Sequence, residues 1–123
     1  MVSSTTTSLA ELDNTVFGGG GQKFAAIAAA AGAQSELVAA STKNRIRVLA
    51  LYVKQAANAL SSLEFESAST GLSGGITGIA ATEMVLPFNP AGWFQTEAGE
   101  ALNITTVNKA VNGFLVYELV ADA

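Results

Sequence analysis

From Lys43 onward the chain alternates apolar and polar residues with the two-residue period of strands rather than the 3.6-residue period of helices. RIRVLALYVK, Arg45 to Lys54, puts Ile46, Val48, Ala50 and Tyr52 on one face and Leu49, Leu51 and Val53 on the other. Both faces are apolar beyond its first residues, which predicts a strand covered on both sides. LEFES, Leu63 to Ser67, alternates cleanly, with Leu63 and Phe65 inward and Glu64 and Glu66 outward. Thr70 to Gly75 reads as a loop. Ile76 to Thr82 and Glu83 to Leu86 read as two short strands, or as one strand with a kink near Gly78. Leu102 to Val107 alternates again, Leu102 and Ile104 inward, Asn103 and Thr105 outward. Asn112-Gly113 carries a hairpin-turn signal. After it, FLVYELV puts Phe114 and Val116 on one face and Leu115, Tyr117 and Leu119 on the other.

The N-terminal third is less decided. In KFAAIAAAAGAQSELVAAS the alanines favour helix, but Gly32 interrupts the run and isolated helices of this length are marginal. The preferred reading is a hairpin: Phe24 to Ala30 outward, Gly32-Ala33-Gln34 as the turn, Ser35 to Ser41 back. Residues 1–21 precede it as an arm. Ser8-Leu9-Ala10-Glu11 fits a helix capping box, and Gly18 to Gly21 form a flexible joint. Leu9, Leu12, Val16 and Phe17 are the arm's candidate interface residues. The alternative for residues 1–21 is a disordered tail. Several short strands separated by Gly, Asn and Ser turns, with no long amphipathic helix, predict an all-β fold. The expected architecture is a single β-sandwich or jelly-roll-like domain over residues 22–123 with a flexible N-terminal arm.

Composition adds a second argument. Half the residues are apolar and only 13% are charged, about half the usual share of ~25%. A monomer so short of charge exposes wide uncharged surface, which commonly marks an interaction face. An oligomer or assembly subunit follows; the alternative is a compact monomer whose surface is mostly Ser and Thr. The two strands with apolar groups on both faces point to the same conclusion, because a neighbouring subunit is their simplest cover. Net charge is −4, and of the six cations only Lys43, Arg45 and Arg47 cluster. They cannot neutralise many phosphates, so no nucleic-acid partner is expected. Cys and His are both absent, which removes disulfides, thiolate chemistry, the commonest general base and the usual zinc ligands. No catalytic residues, cofactor or metal are expected. No basic segment followed by an apolar core opens the chain, and FAAIAAAAGA is too short and too Ala-rich to span a bilayer. No membrane partner is expected either, and the chain is expected to be made and kept in the cytoplasm or built into a particle there. Asn103-Ile104-Thr105 matches a glycosylation acceptor and is read as chance without a secretion signal.

The stretch FNPAGWFQTEAGEALNI, Phe88 to Ile104, looks most like a site. Asn89-Pro90-Ala91-Gly92 reads as a β-turn. Trp93 and Phe94 follow on opposite sides of an extended chain, so one ring is free to stack on a sugar or fill a partner's pocket while the other caps the core. The alternative is that both rings close the end of the sandwich. Glu97 and Glu100 read as a polar turn rather than an acid–base pair. Lys43, Arg45 and Arg47 form a local basic patch, either for an acidic edge of a partner or as solvated charges that discourage stray strand pairing. Neither the glycine run nor TGLSGG ends in the GKS or GKT of a phosphate loop.

The order of segments, QSELVAAS, KNRIRVLALYV, a short alternating strand, a Gly-bearing loop, MVLPFNPAGWFQTEAGEALNI and a last hydrophobic strand, resembles small β-sandwich virion proteins of tailed bacteriophages. The resemblance covers about Phe24 to Val120 and excludes the arm. It is most like capsid decoration, or cement, proteins. It implies a non-enzymatic protein on the outer capsid surface, assembled in the host cytoplasm, with itself (as a homotrimer) and the major capsid protein as partners. A tail or fibre component, or a host-recognition module that binds a glycan through Trp93 or Phe94, is the alternative.

Overall fold

The computed structural model describes residues 21–55, 61–78 and 83–121. The capping-box segment, Leu9, Leu12, Val16, Phe17 and residues 79–82 lie outside them. The described residues contain ten strands and no helix. They are β1 (Gln22–Ala29), β2 (Gln34–Val38), β3 (Asn44–Gln55), β4 (Ser61–Ser67) and β5 (Thr70–Gly71), followed by β6 (Ile76–Gly78), β7 (Glu83–Leu86), β8 (Phe94–Gln95), β9 (Leu102–Val107) and β10 (Val111–Ala121).

Two antiparallel sheets of five strands pack face to face as a β-sandwich. The first runs β1-β10-β3-β7, with β8 also on β3; the second runs β2-β9-β4-β5, with β6 also on β4. The last two strands are central ones: β10 lies between β1 and β3, and β9 between β2 and β4. Neither sheet is complete until the end of the chain has been placed, so most of the pairing is non-local. The core between the sheets takes Ile27 and Ala29 from β1, Ile46, Val48, Leu51 and Val53 from β3, and Val111 and Leu115 from β10. Val38, Leu63, Phe65, Leu102 and Ile104 face them from the second sheet. Each buried large aliphatic or aromatic side chain contributes about 2 kcal/mol.

Four sequence expectations meet a different outcome. The expected hairpin does form strands near its stated limits, but they do not pair: β1 pairs with β10 and β2 with β9. The four residues between them pass from one sheet to the other, with Gly32 at a φ of 69°. Thr106 ties that crossing down, its N–H bonding to Ala33 O at 3.1 Å and its hydroxyl to Ala30 O.

The two-sided apolar character of β3 comes from a β-bulge. Tyr117 pairs with Val48 and Val116 with Ala50, which leaves Leu49 unopposed. Before the bulge Ile46 and Val48 face the core, and after it Leu51 and Val53 do. One extra residue reverses the alternation, so the one core takes Ile46, Val48, Leu51 and Val53 from the two apolar sets, while Ala50 and Tyr52 stay on the outward face.

Asn112-Gly113 is not a turn. Both residues lie inside β10, and the chain turns instead around Asn108, at a φ of 73°. Gly113 is there for space: a Cβ on it would sit 1.8 Å from Tyr52 O of β3. Finally, Thr70 and Gly71 of the expected loop form β5. Ile76–Gly78 and Glu83–Leu86 are two short strands, as the first of the two readings had them, and they lie in different sheets.

Candidate interaction surface

The register of the first sheet assigns its outward residues row by row. One row runs Phe24, Val116, Ala50, and the next runs Ala26, Phe114, Tyr52, Val85. Phe24 is 77% exposed, Val85 62% and Phe114 53%. Phe114 and Tyr52 stack at a centroid distance of 5.7 Å. The two rows make an apolar band across β1, β10, β3 and β7. Polar rows bound it on both sides: Gln22, Glu118, Arg47 and Gln95 at one end, Asn112, Lys54 and Glu83 at the other. Tyr52 reaches over that second border and donates to Glu83. This hydrogen bond, followed by desolvation and the carboxylate's charge, raises the phenol above its ordinary value.

The outward face of the second sheet has the opposite character. Gln34, Glu66 and Thr105 form one network there, with Gln34 Nε2 donating to Glu66 at 2.8 Å and Thr105 Oγ1 at 2.7 Å. Gln34 and Asn103 also donate to Ala68 O. These polar groups satisfy one another, while nothing among the described residues covers the apolar band.

The stretch singled out in the sequence docks on β3 at the bulge. The turn forms as expected, with Gly92 N–H bonding to Asn89 O at 2.9 Å. Asn89 N–H bonds to Leu49 O and Trp93 N–H to Val48 O, both at 2.8 Å, so the loop takes up the carbonyls around the bulge. Phe94 turns inward and packs on Phe65 at 5.2 Å, partly covered against the core. Trp93 is 43% exposed, and its Nε1–H is held by Pro87 O at 2.8 Å. Phe88, two residues after β7, is exposed as well. One ring is in and one is out, so Trp93 is the aromatic on offer to a partner.

The basic residues are engaged within the chain. Arg45 pairs with Glu97 at 3.2 Å and Arg47 with Glu118 at 3.1 Å. Arg47 Nε also bonds Gln95 Oε1 at 3.2 Å, which staples β8 to β3. Because β3 is an inner strand, these charges do not guard a free edge. Lys43 stands at the turn before β3 with a φ of 63° and is exposed. Glu97 and Glu100 have separate partners: Glu100 accepts from Ser67 Oγ, and Ser67 Oγ in turn accepts from Glu97 N–H at 2.9 Å. The two carboxylates brace a turn.

Comparison with family models, curated proteins and solved structures finds no match. The surface itself therefore carries the functional argument. Sequence alternation placed Phe114 and Val116 on one face of their strand. What it did not supply was the strand order that brings Phe24, Tyr52 and Val85 beside them.

Proposed function

We propose that this chain is a non-enzymatic decoration protein that binds the outer surface of a bacteriophage capsid as an oligomer and stabilises the head lattice. The observation that supports the reading most is the apolar band on one outward face of the sandwich, with Phe88 and Trp93 also exposed in the segment between β7 and β8. An exposed apolar surface rimmed by polar residues is typical of an interaction site. The resemblance of the segment order to that of phage decoration proteins is what points to the capsid as partner. A protein that binds only the expanded lattice stabilises that state by its own binding free energy, and several copies acting together turn weak contacts into avidity. The test is co-sedimentation with shells of the major capsid protein before and after expansion. Binding to expanded shells alone, in multiples of three copies per lattice site, is the expected result. No binding to either form overturns the reading.

A second reading is favoured by the exposed Trp93 ring, which suits stacking on a sugar. In that case the chain is a host-recognition module, and Trp93 alone is the platform, because Phe94 packs inward. Glycan binding lost on Trp93→Ala, with no binding to shells, selects this alternative.

A further inference from the structure

Among the described residues each sheet has two outer edges, and three of the four are blunted against stray pairing. β7 has four residues and runs into Pro87, and β8, on the same side of β3, has two. β5 and β6 have two and three. β2 has five, broken by a register shift between Glu36 and Val38. β1 has none of these devices. It is eight residues long, in unbroken register with β10, and contains no proline. Phe24, Ala25, Ala26, Ile27, Ala28 and Ala29 are apolar, and its one charge, Lys23, stands near the start of the strand. Nothing among the described residues pairs with its other side. A row of backbone donors and acceptors therefore faces outward along a long apolar edge, which is a template for a further strand.

The strand is complementary to itself. Opposite residues of an antiparallel pair share a face of the sheet. Phe24, Ala26 and Ala28 face outward and must oppose outward residues; Ala25, Ile27 and Ala29 face the core and must oppose core-facing ones. A two-fold axis through Ala26 meets both demands. Ala26 then lies opposite its own copy, Phe24 opposite the partner's Ala28, Ala25 opposite the partner's Ile27 and Lys23 opposite the partner's Ala29. Each larger side chain meets an alanine, and the two Lys23 positions stand ~20 Å apart. In-register parallel pairing would set them ~5 Å apart instead.

We infer that two copies of this chain pair β1 with β1, antiparallel about Ala26, and so join their first sheets into one continuous sheet. The contact is isologous and uses up both edges, so it closes at two copies. It also enlarges the apolar band. In one chain the band is ~14 Å wide and of similar height. Its area is on the order of 200–300 Å², against the ~800 Å² per partner of a stable interface. In the dimer the row Ala26, Phe114, Tyr52, Val85 runs straight on into its copy, and the two bands form one surface of about twice the area. A face for a large partner is incomplete without the second chain. The inference rests on the strand edge and stands whether or not a capsid is that partner; three such dimers can still meet at a three-fold lattice site.

Sedimentation of the full chain over a range of concentrations tests this. Wild type is expected to form a dimer that dissociates reversibly on dilution. Ala26→Lys and Ala26→Glu each set like charges against each other on the axis. Each is expected to weaken the dimer several-fold with unchanged β-sheet circular dichroism, since Ala26 is exposed. Mixing the two variants is expected to restore the dimer as pairs of opposite charge. Val85→Lys, at the far edge of the same sheet, is expected to leave the dimer intact. Wild type that stays monomeric at every concentration, or that assembles as a trimer, overturns the inference. So does a dimer indifferent to both Ala26 variants, or a mixture that fails to restore it. Loss of the dimer in Val85→Lys also overturns it, because the copies would then stack face to face.

Discussion

Arg47 tests whether the basic cluster serves a partner or the fold. Its guanidinium lies 3.1 Å from Glu118, whose side chain is 7% exposed, against 28% for Arg47 itself. Removing one partner of a buried ion pair costs ~3–5 kcal/mol, because the other charge is left without compensation. Arg47 keeps some contact with water, so Arg47→Met is expected to cost about 2–3 kcal/mol. Lost packing of its methylenes over the turn at Gly92 contributes to this, since a Cβ there would meet Arg47 Cγ at 2.4 Å. Glu118→Leu alone leaves the guanidinium partly solvated and bonded to Gln95, and is expected to cost about 1–2 kcal/mol. The double variant removes both charges and is expected to be more stable than Arg47→Met alone. That sets a coupling of at least ~1 kcal/mol between the sites. Urea unfolding at neutral pH, with a common slope across the four proteins, measures each term. If Arg47→Met unfolds within ~0.5 kcal/mol of wild type, the pair contributes nothing to the fold and the residue is free for a partner.

Three further outcomes follow from the geometry. Gly113→Ala puts a methyl group 1.8 Å from Tyr52 O; a loss of more than ~3 kcal/mol or failure to fold is expected, whereas Gly32→Ala, in open space at a φ of 69°, should cost only about 1 kcal/mol. Phe94→Ala should lose ~3 kcal/mol by thermal or urea unfolding and Trp93→Ala under ~1.5, reversing the order of their sizes, because only Phe94 packs on the core. Tyr52 should ionise above the ordinary tyrosine value of about 10. The neutral phenol is the form favoured in the folded state, so this contribution is complete below that value and is lost as pH rises through the raised one. Ultraviolet titration of Tyr117→Phe, which leaves Tyr52 as the only tyrosine, reads it, and Glu83→Gln should lower it.

Much of the sandwich was legible in the sequence because period-two alternation is a local signal. LEFES and LNITTV lie in the structure as their patterns indicated, with Leu63, Phe65, Leu102 and Ile104 in the core. The misread elements turn on contacts that alternation does not encode. The bulge at Leu49 shifts the inward face of β3 by one residue, and a continuous apolar run conceals such a shift. Gly113 resembles a turn glycine until the neighbouring strand is placed 1.8 Å from its missing Cβ. The hairpin expectation assumed that adjacent strands pair, but β10 and β9 take the places beside β1 and β2. The apolar band was hidden for the same reason. Its residues come from four strands spread from Phe24 to Val116, and only the sheet order makes them neighbours. Within the singled-out stretch, alternation did separate Trp93 from Phe94, but packing against Phe65 was needed to say which ring is inside.

The proposed role of the apolar band on the first sheet is tested by comparing wild type with F24S/F114S for binding to expanded capsid shells. Both side chains are more than half exposed, so the double variant should keep its urea midpoint close to that of wild type. F24S/F114S is expected to stay folded and to lose at least tenfold in shell affinity. A folded double variant that binds as tightly as wild type contradicts it.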